Sequence, residues 1–168
     1  SVGSGAAGTV AFAMSHQSPV DLGTGELPPD GATANLAVAR FDSAGTPELV
    51  VGFNLVNGQN VSALAVDAAG NVIVCGQYTG DLTLGGTSTP ISSNTGTLDI
   101  FVAKLSAAQL SPLWVRGVGS PGTDRCDGLA VDRVSHEITI VGVIGGTADA
   151  GGGPLPWAGG SDAVVVRY

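Results

Sequence analysis

The chain has 168 residues and a formal net charge of −8, with six Lys and Arg against fourteen Asp and Glu. Phosphate backbones and anionic headgroups call for clustered basic side chains, so nucleic acid and acidic membrane surfaces are excluded as partner classes. Hydrophobic residues make up 43% of the chain, yet no apolar run approaches the ~20 residues of a membrane span, and membrane insertion is not expected.

Short apolar runs bounded by Gly, Pro, Asn, Asp or Ser carry the strand signature throughout, and they recur at a spacing of about 64 residues. The first unit, residues 1–60, opens on a worn strand a at 1–8, in which Ala6-Ala7-Gly8-Thr9-Val10 matches Ala68-Ala69-Gly70-Asn71-Val72 further on. Strand b follows at 10–14, and a long loop at 17–34 holds Pro19, Pro28 and Pro29, which disfavour regular structure. Strand c is 35–41 and strand d is 49–53. The second unit, 61–125, has a at 61–67, b at 71–77, c at 99–106 and d at 112–118, with a loop at 80–98. The third, 126–168, has a at 126–132, b at 137–143, a loop at 145–160 and c at 161–168. Asp67-Ala68-Ala69-Gly70-Asn71 is a tight turn, because Asp bonds its own backbone and Gly supplies a positive φ. Residues 103–110 are the only stretch to weigh as a helix, and a c–d turn accounts for them better.

Four antiparallel strands per unit, repeated with Gly-rich turns, predict an all-β fold of β-propeller-type four-stranded blades. About three blades occupy 1–168, read as a single repeat domain. Propellers have typically 4–8 blades, so three make an open partial propeller or a ring completed by self-association. A homodimer would supply six blades; the alternative is the remaining blades of a longer parent chain. The first eight residues lack a basic segment and an apolar core, as expected of a mature secreted protein or a fragment of one.

The pattern A-V-D-x-x-G-N-V, then T-G, a Gly-rich stretch, D-x-F-V-A-K-L and a Trp strand resembles the bacterial β-propeller repeat family abbreviated SBBP. The likeness runs through nearly the whole chain, and residues 155–162 (LPWAGGSD) fit the stretch before the family's third strand. The resemblance implies a propeller fold and an extracellular or cell-surface location in a large bacterial repeat protein. It implies no catalytic residue.

Several residues are weighed for chemistry. Cys75 and Cys126 stand at similar distances from their a–b turns, which puts them at one level in adjacent blades, either as a disulfide in an oxidising compartment or as two buried thiols. Asp124 and Asp127 lie between two blades with Arg125 and could place hard oxygen ligands on Ca²⁺, although no EF-hand run is present. His16 and His136 fall in different units at no zinc-ligand spacing. Gly117-Val118-Gly119-Ser120-Pro121-Gly122 matches G-x-G-x-x-G but leads into another strand, not the helix that a dinucleotide site requires. Asp67 and Asp132, Asp99 and Asp162, and Asp21 and Asp81 recur with the repeat and read as turn chemistry. Arg40, Lys104 and Arg167 share one position in strand c and read as edge charges or carboxylate partners. Phe53, Phe101 and Trp114 read as inter-blade core. Trp157 sits in a Gly/Pro loop, where it either stacks on a sugar ring or covers its own blade.

The expected function is therefore a non-catalytic binding or display scaffold, or a structural spacer, with an unidentified protein or glycan ligand and no cofactor. The alternative is a polysaccharide lyase or hydrolase whose site lies in a channel completed by other blades. That reading needs an asymmetric catalytic cluster on strand a, whose Ser62, Leu64, Val66, Leu129 and Val131 offer only a bland lining.

Overall fold

A computed structural model describes residues 1–5, 8–28, 35–53, 60–85, 91–92 and 96–168. The expected first-unit turn at Ala6 and Ala7, together with Pro29, lies outside the described residues. The first sheet has the order β1 (Val2–Ser4), β2 (Val10–His16), β5 (Asn35–Phe41), β6 (Pro47–Phe53). Strands β3 (Val20–Asp21) and β4 (Glu26–Leu27) form a two-stranded ribbon inside the b–c loop. The second sheet joins β7 (Asn60–Val66), β8 (Val72–Tyr78), β11 (Asp99–Leu105) and β12 (Pro112–Val118), with its own ribbon of β9 (Asp81–Leu82) and β10 (Ile91–Ser92). The third has β13 (Arg125–Val131), β14 (Ile138–Ile144) and β17 (Asp162–Arg167), and a ribbon of β15 (Ala148–Asp149) and β16 (Pro154–Leu155). All pairings are antiparallel, and the described residues contain no α-helix.

The repeat extends to backbone irregularities. Strand a bulges between Val61 and Ala63 in the second sheet and between Cys126 and Gly128 in the third. The bulge carries strand a towards strand b, where Gly76 and Gly142 stand. A Cβ at Gly76 would collide with the Asn60 carbonyl oxygen, and one at Gly142 with that of Arg125. Glycine at this point in strand b is thus a consequence of the bulge opposite it.

The period-2 alternation of the middle sheet divides its side chains between two cores. Val72, Val74, Phe101, Ala103 and Leu105 point to the first sheet and meet Leu36, Val38 and Phe53. Ile73, Cys75, Ile100 and Val102 point to the third and meet Ile140, Val164 and Val166. A strand buried on both faces reads as a continuous apolar run, as VIVC and IFVA do. Each large side chain enclosed this way stabilises the stack by about 1.5–3 kcal/mol. Strand a corrects one expectation. Leu64 and Val66 belong to the core between the first two sheets, and Leu129 and Val131 pack against the second core, so these residues hold sheets together.

The turns follow the chemistry read from sequence. Asp67 Oδ1 accepts the N–H groups of Ala69 at 2.9 Å and Asn71 at 2.8 Å, with Gly70 at φ 82°. Asp132 Oδ1 accepts those of Val134 at 2.7 Å and Ser135 at 3.0 Å, and His136 takes the left-handed position at φ 63°. The b–c loops depart from expectation. Strand b of the first unit runs on to His16, and each loop contains a ribbon despite its Pro and Gly content. Among the described residues an Asp is seen to close the first and third ribbons. Asp21 Oδ1 accepts from Gly23 at 2.7 Å and Gly25 at 3.2 Å, and Asp149 Oδ1 from Gly151 at 2.7 Å and Gly153 at 3.1 Å. Asp149 is thus a geometric counterpart of Asp21, and D-x-G-x-G is the sequence signal the two share.

Candidate functional site

The densest polar arrangement lies where the second sheet hands over to the third. The connection after β12 turns back through Ser120 and Pro121, and Asp124 closes it. Asp124 is fully buried and accepts the Ser120 N–H at 2.6 Å, the Ser120 hydroxyl at 2.7 Å and the Gly145 N–H at 2.9 Å. Its own N–H donates to the Leu98 carbonyl at 2.7 Å. Three protein donors thus converge on a buried carboxylate, which is how such a charge is tolerated away from water. The G-x-G-x-x-G stretch is this connection, followed by β13.

Asp127 serves a separate network. It is exposed, and both Nε and Nη2 of Arg125 donate to it, the second at 3.2 Å. The two carboxylates weighed as Ca²⁺ ligands are thus each engaged by protein donors. Among the described residues no group of three or more metal-ligating side chains converges. His16 is buried at the end of β2 with Nδ1 3.0 Å from the Ser18 carbonyl, while His136 occupies its turn in the third unit.

Beside this node lies Tyr78, only 1% exposed. Burial, and then the charges of Asp99, Asp124 and Asp81, push its phenol up to about 12, so it is a neutral hydroxyl at physiological pH and no nucleophile. Asp99 is buried against Gly119, whose Cβ, if present, would overlap the carboxylate. Through the Asp124–Gly145 bond the node ties the connection after β12 to the end of β14.

Cys75 and Cys126 form a disulfide between β8 and β13, with Cα atoms 6.3 Å apart. Both residues are buried, so the bond lies inside the core that joins the second and third sheets.

The periodic cations each meet a carboxylate, by different routes. Arg40 Nε lies 2.9 Å from Glu48 and also donates to the Ala107 carbonyl of the second sheet; Lys104 Nζ is 2.8 Å from Asp67 Oδ2; Arg167 Nη1 is 3.3 Å from Glu137. Burial by itself would raise the Asp67 carboxyl, but the bonds from Lys104 and Asn71 outweigh it and hold the group below the ordinary carboxylate value. Arg133 Nη2 donates to the Ser4 carbonyl at 2.8 Å, tying the third unit to the first.

The remaining candidates lie on the surface. Trp157 is 43% exposed, and its indole N–H donates to the Gly160 carbonyl at 3.3 Å. That bond orients the ring and leaves part of it open to solvent. Phe53 and Phe101 are buried in the first core. Trp114 is only half-buried. Its ring lies 5.9 Å from that of Tyr168, and the Arg116 guanidinium sits 5.6 Å from the one centroid and 5.0 Å from the other. This cation–aromatic stack was not foreseen, because Arg116 and Tyr168 are neighbours only through the contact of two sheets.

No protein-family model matches the chain, and comparison with curated proteins gives no significant match.

Proposed function

We propose that this chain is a non-catalytic β-propeller-type module of the SBBP repeat kind, extracellular or at the cell surface, serving as a binding or display scaffold or as a spacer. The observation that carries this reading is the middle sheet, enclosed between two copies of its own pattern with apolar side chains on both faces. Sheets stacked in this way are the building principle of a propeller, and a second copy or further blades would complete the ring. The recurrent carboxylates Asp67 and Asp132 are engaged in turns, and Asp124 in a sheet connection. A buried disulfide supports an oxidising compartment. The b–c ribbons, carried on rigid sheets, are the natural contact elements for a protein or glycan ligand. Trp157, part-exposed on one such loop, is a residue to test for glycan contact.

The test is to incubate the chain with a panel of bacterial and plant polysaccharides and to measure both retention and new chain ends. The expected result is binding without cleavage, or neither, and release of reducing or unsaturated ends would overturn the proposal in favour of a channel enzyme.

A further inference from the structure

The first unit departs from the second at four linked positions. Gly5 stands where the second unit has Asp67, and Thr9 where it has Asn71. The Gly5 N–H donates to the Thr9 carbonyl at 2.8 Å, as the Asp67 N–H does to the Asn71 carbonyl at 3.0 Å, so the two pairs are structural equivalents. With glycine at this point, the first unit lacks the carboxylate that Lys104 meets in the second. Arg40, which holds the Lys104 position, turns to Glu48 instead. Glu48 in turn holds the position of Leu113. In both sheets the pairing of strands c and d shifts there, so this residue is the extra one of a bulge, and the bulge re-aims Glu48 towards Arg40. Positions that repeat are explained by the turns they build; four that change together are not.

These residues border a groove of about 330 Å³ between the first two sheets. Arg40 and Glu48 line it from the first sheet, and Ala68, Ala69, Gly70 and Ala107 from the turns of the second. The ion pair is held from both sides. Arg40 Nε lies 2.9 Å from Glu48 Oε2, and Arg40 Nη1 donates to the Ala107 carbonyl, while the Ala107 N–H donates to Asn71 Oδ1 at 3.0 Å. Arg40 Nη2 and Glu48 Oε1 make no hydrogen bond to the described residues. The side chains are 23% and 40% exposed, so a ligand in the groove can reach both. A donor and an acceptor thus remain on one fixed, electrically neutral pair.

We propose that this groove binds a neutral sugar residue through two neighbouring hydroxyls. A hydroxyl both donates and accepts, so a vicinal pair of them meets Arg40 Nη2 and Glu48 Oε1 together. A charged ligand gains little, because Arg40 and Glu48 already cancel each other. Ala68, Ala69 and Gly70 carry no long side chain, so a ring can approach the turn closely; the third unit has Arg133 and Val134 in place of the two alanines. The volume stands at the lower end of the ~300–1,000 Å³ of small-molecule sites, which suits one sugar ring. The inference rests on the scaffold reading and deepens it by giving the ligand class of one site.

The probes are the methyl glycosides of glucose, galactose and mannose, titrated into the intact, oxidised chain and followed by amide NMR. At least one is expected to saturate at roughly millimolar concentration, with shifts centred on Ala68, Ala69, Gly70 and Ala107. Glu48→Leu and Arg40→Lys each bring in the residue that the second unit carries at that position, so both variants should fold. Each should weaken binding roughly tenfold, the loss of one hydrogen bond to a charged group. Four results would each overturn the site: no saturation by any of the three, shifts centred elsewhere such as on Trp157, unchanged affinity in either variant, or tighter binding of glucuronate or glucosamine. None of these touches the scaffold reading, which stands or falls on the polysaccharide assay.

Discussion

Asp67 is the residue whose removal probes the fold most directly. Its carboxylate is 3% exposed and receives the N–H groups of Ala69 and Asn71, the Asn71 side-chain amide at 2.9 Å and the Lys104 ammonium at 2.8 Å. Asp67→Ala strips all four donors of their acceptor at once. A hydrogen bond to a charged group contributes about 1.5–3 kcal/mol net, and breaking a buried pair costs about 3–5 kcal/mol because one ion is left behind. The Lys104 side chain retains 18% exposure, so water recovers part of that loss, and the expected cost is about 3 kcal/mol. For a chain of this length that lowers Tm by roughly 6–12 °C. Lys104→Met in the same chain removes the stranded ammonium and should restore about 1–2 kcal/mol. The dependence on pH has a definite sign. The folded carboxyl lies below its ordinary value of 3.8, so its stabilisation is complete above that value and is lost as pH falls through the folded one. Urea unfolding followed by tryptophan fluorescence, at pH 7 and near pH 3, measures all of this. A cost under about 1 kcal/mol at pH 7, no recovery in the double variant, or a difference that persists unchanged in acid would refute the account.

Replacing Cys75 and Cys126 together by Ala should destabilise the chain by about 4 kcal/mol, because the bridge closes a span of 51 residues. Guanidinium unfolding of the oxidised chain and the variant checks it, and equal midpoints would mean that the bridge contributes nothing. Tyr78 gives an alkaline prediction. Its raised phenol means that stability is intact below the unfolded value of 10.0 and falls as pH rises towards about 12. Absorbance at the phenolate band should show one tyrosine ionising only with unfolding, whereas early titration of both tyrosines of the chain would contradict its burial.

Much of the fold was legible because the repeat is written in strand-sized units. The short apolar runs in VIVCGQY and DIFVAKL, the Asp-x-x-Gly turn and the recurrence at about 64 residues place the ten long strands and their antiparallel order. A local rule suffices for each: a short apolar run between turn residues for a strand, a carboxylate and a left-handed residue for a turn. The ribbons were missed because two-residue pairings lack a period to detect, and their Gly and Pro content argued for irregular loop. Reading Asp21-x-Gly-x-Gly beside Asp149-x-Gly-x-Gly would have disclosed two of them. Strand a was assigned to a channel because periodicity reports that one face is apolar, not what covers it.

By itself, then, the sequence determined the all-β class, the four-stranded antiparallel pattern and the turn carboxylates, since those depend on residues within a few positions of one another. Only the tertiary structure decided the rest. The Cys75–Cys126 bond, the donors assembled on Asp124 and the Trp114–Arg116–Tyr168 stack each join groups from different elements. Such contacts arise from how sheets stack, and that geometry has no period along the chain.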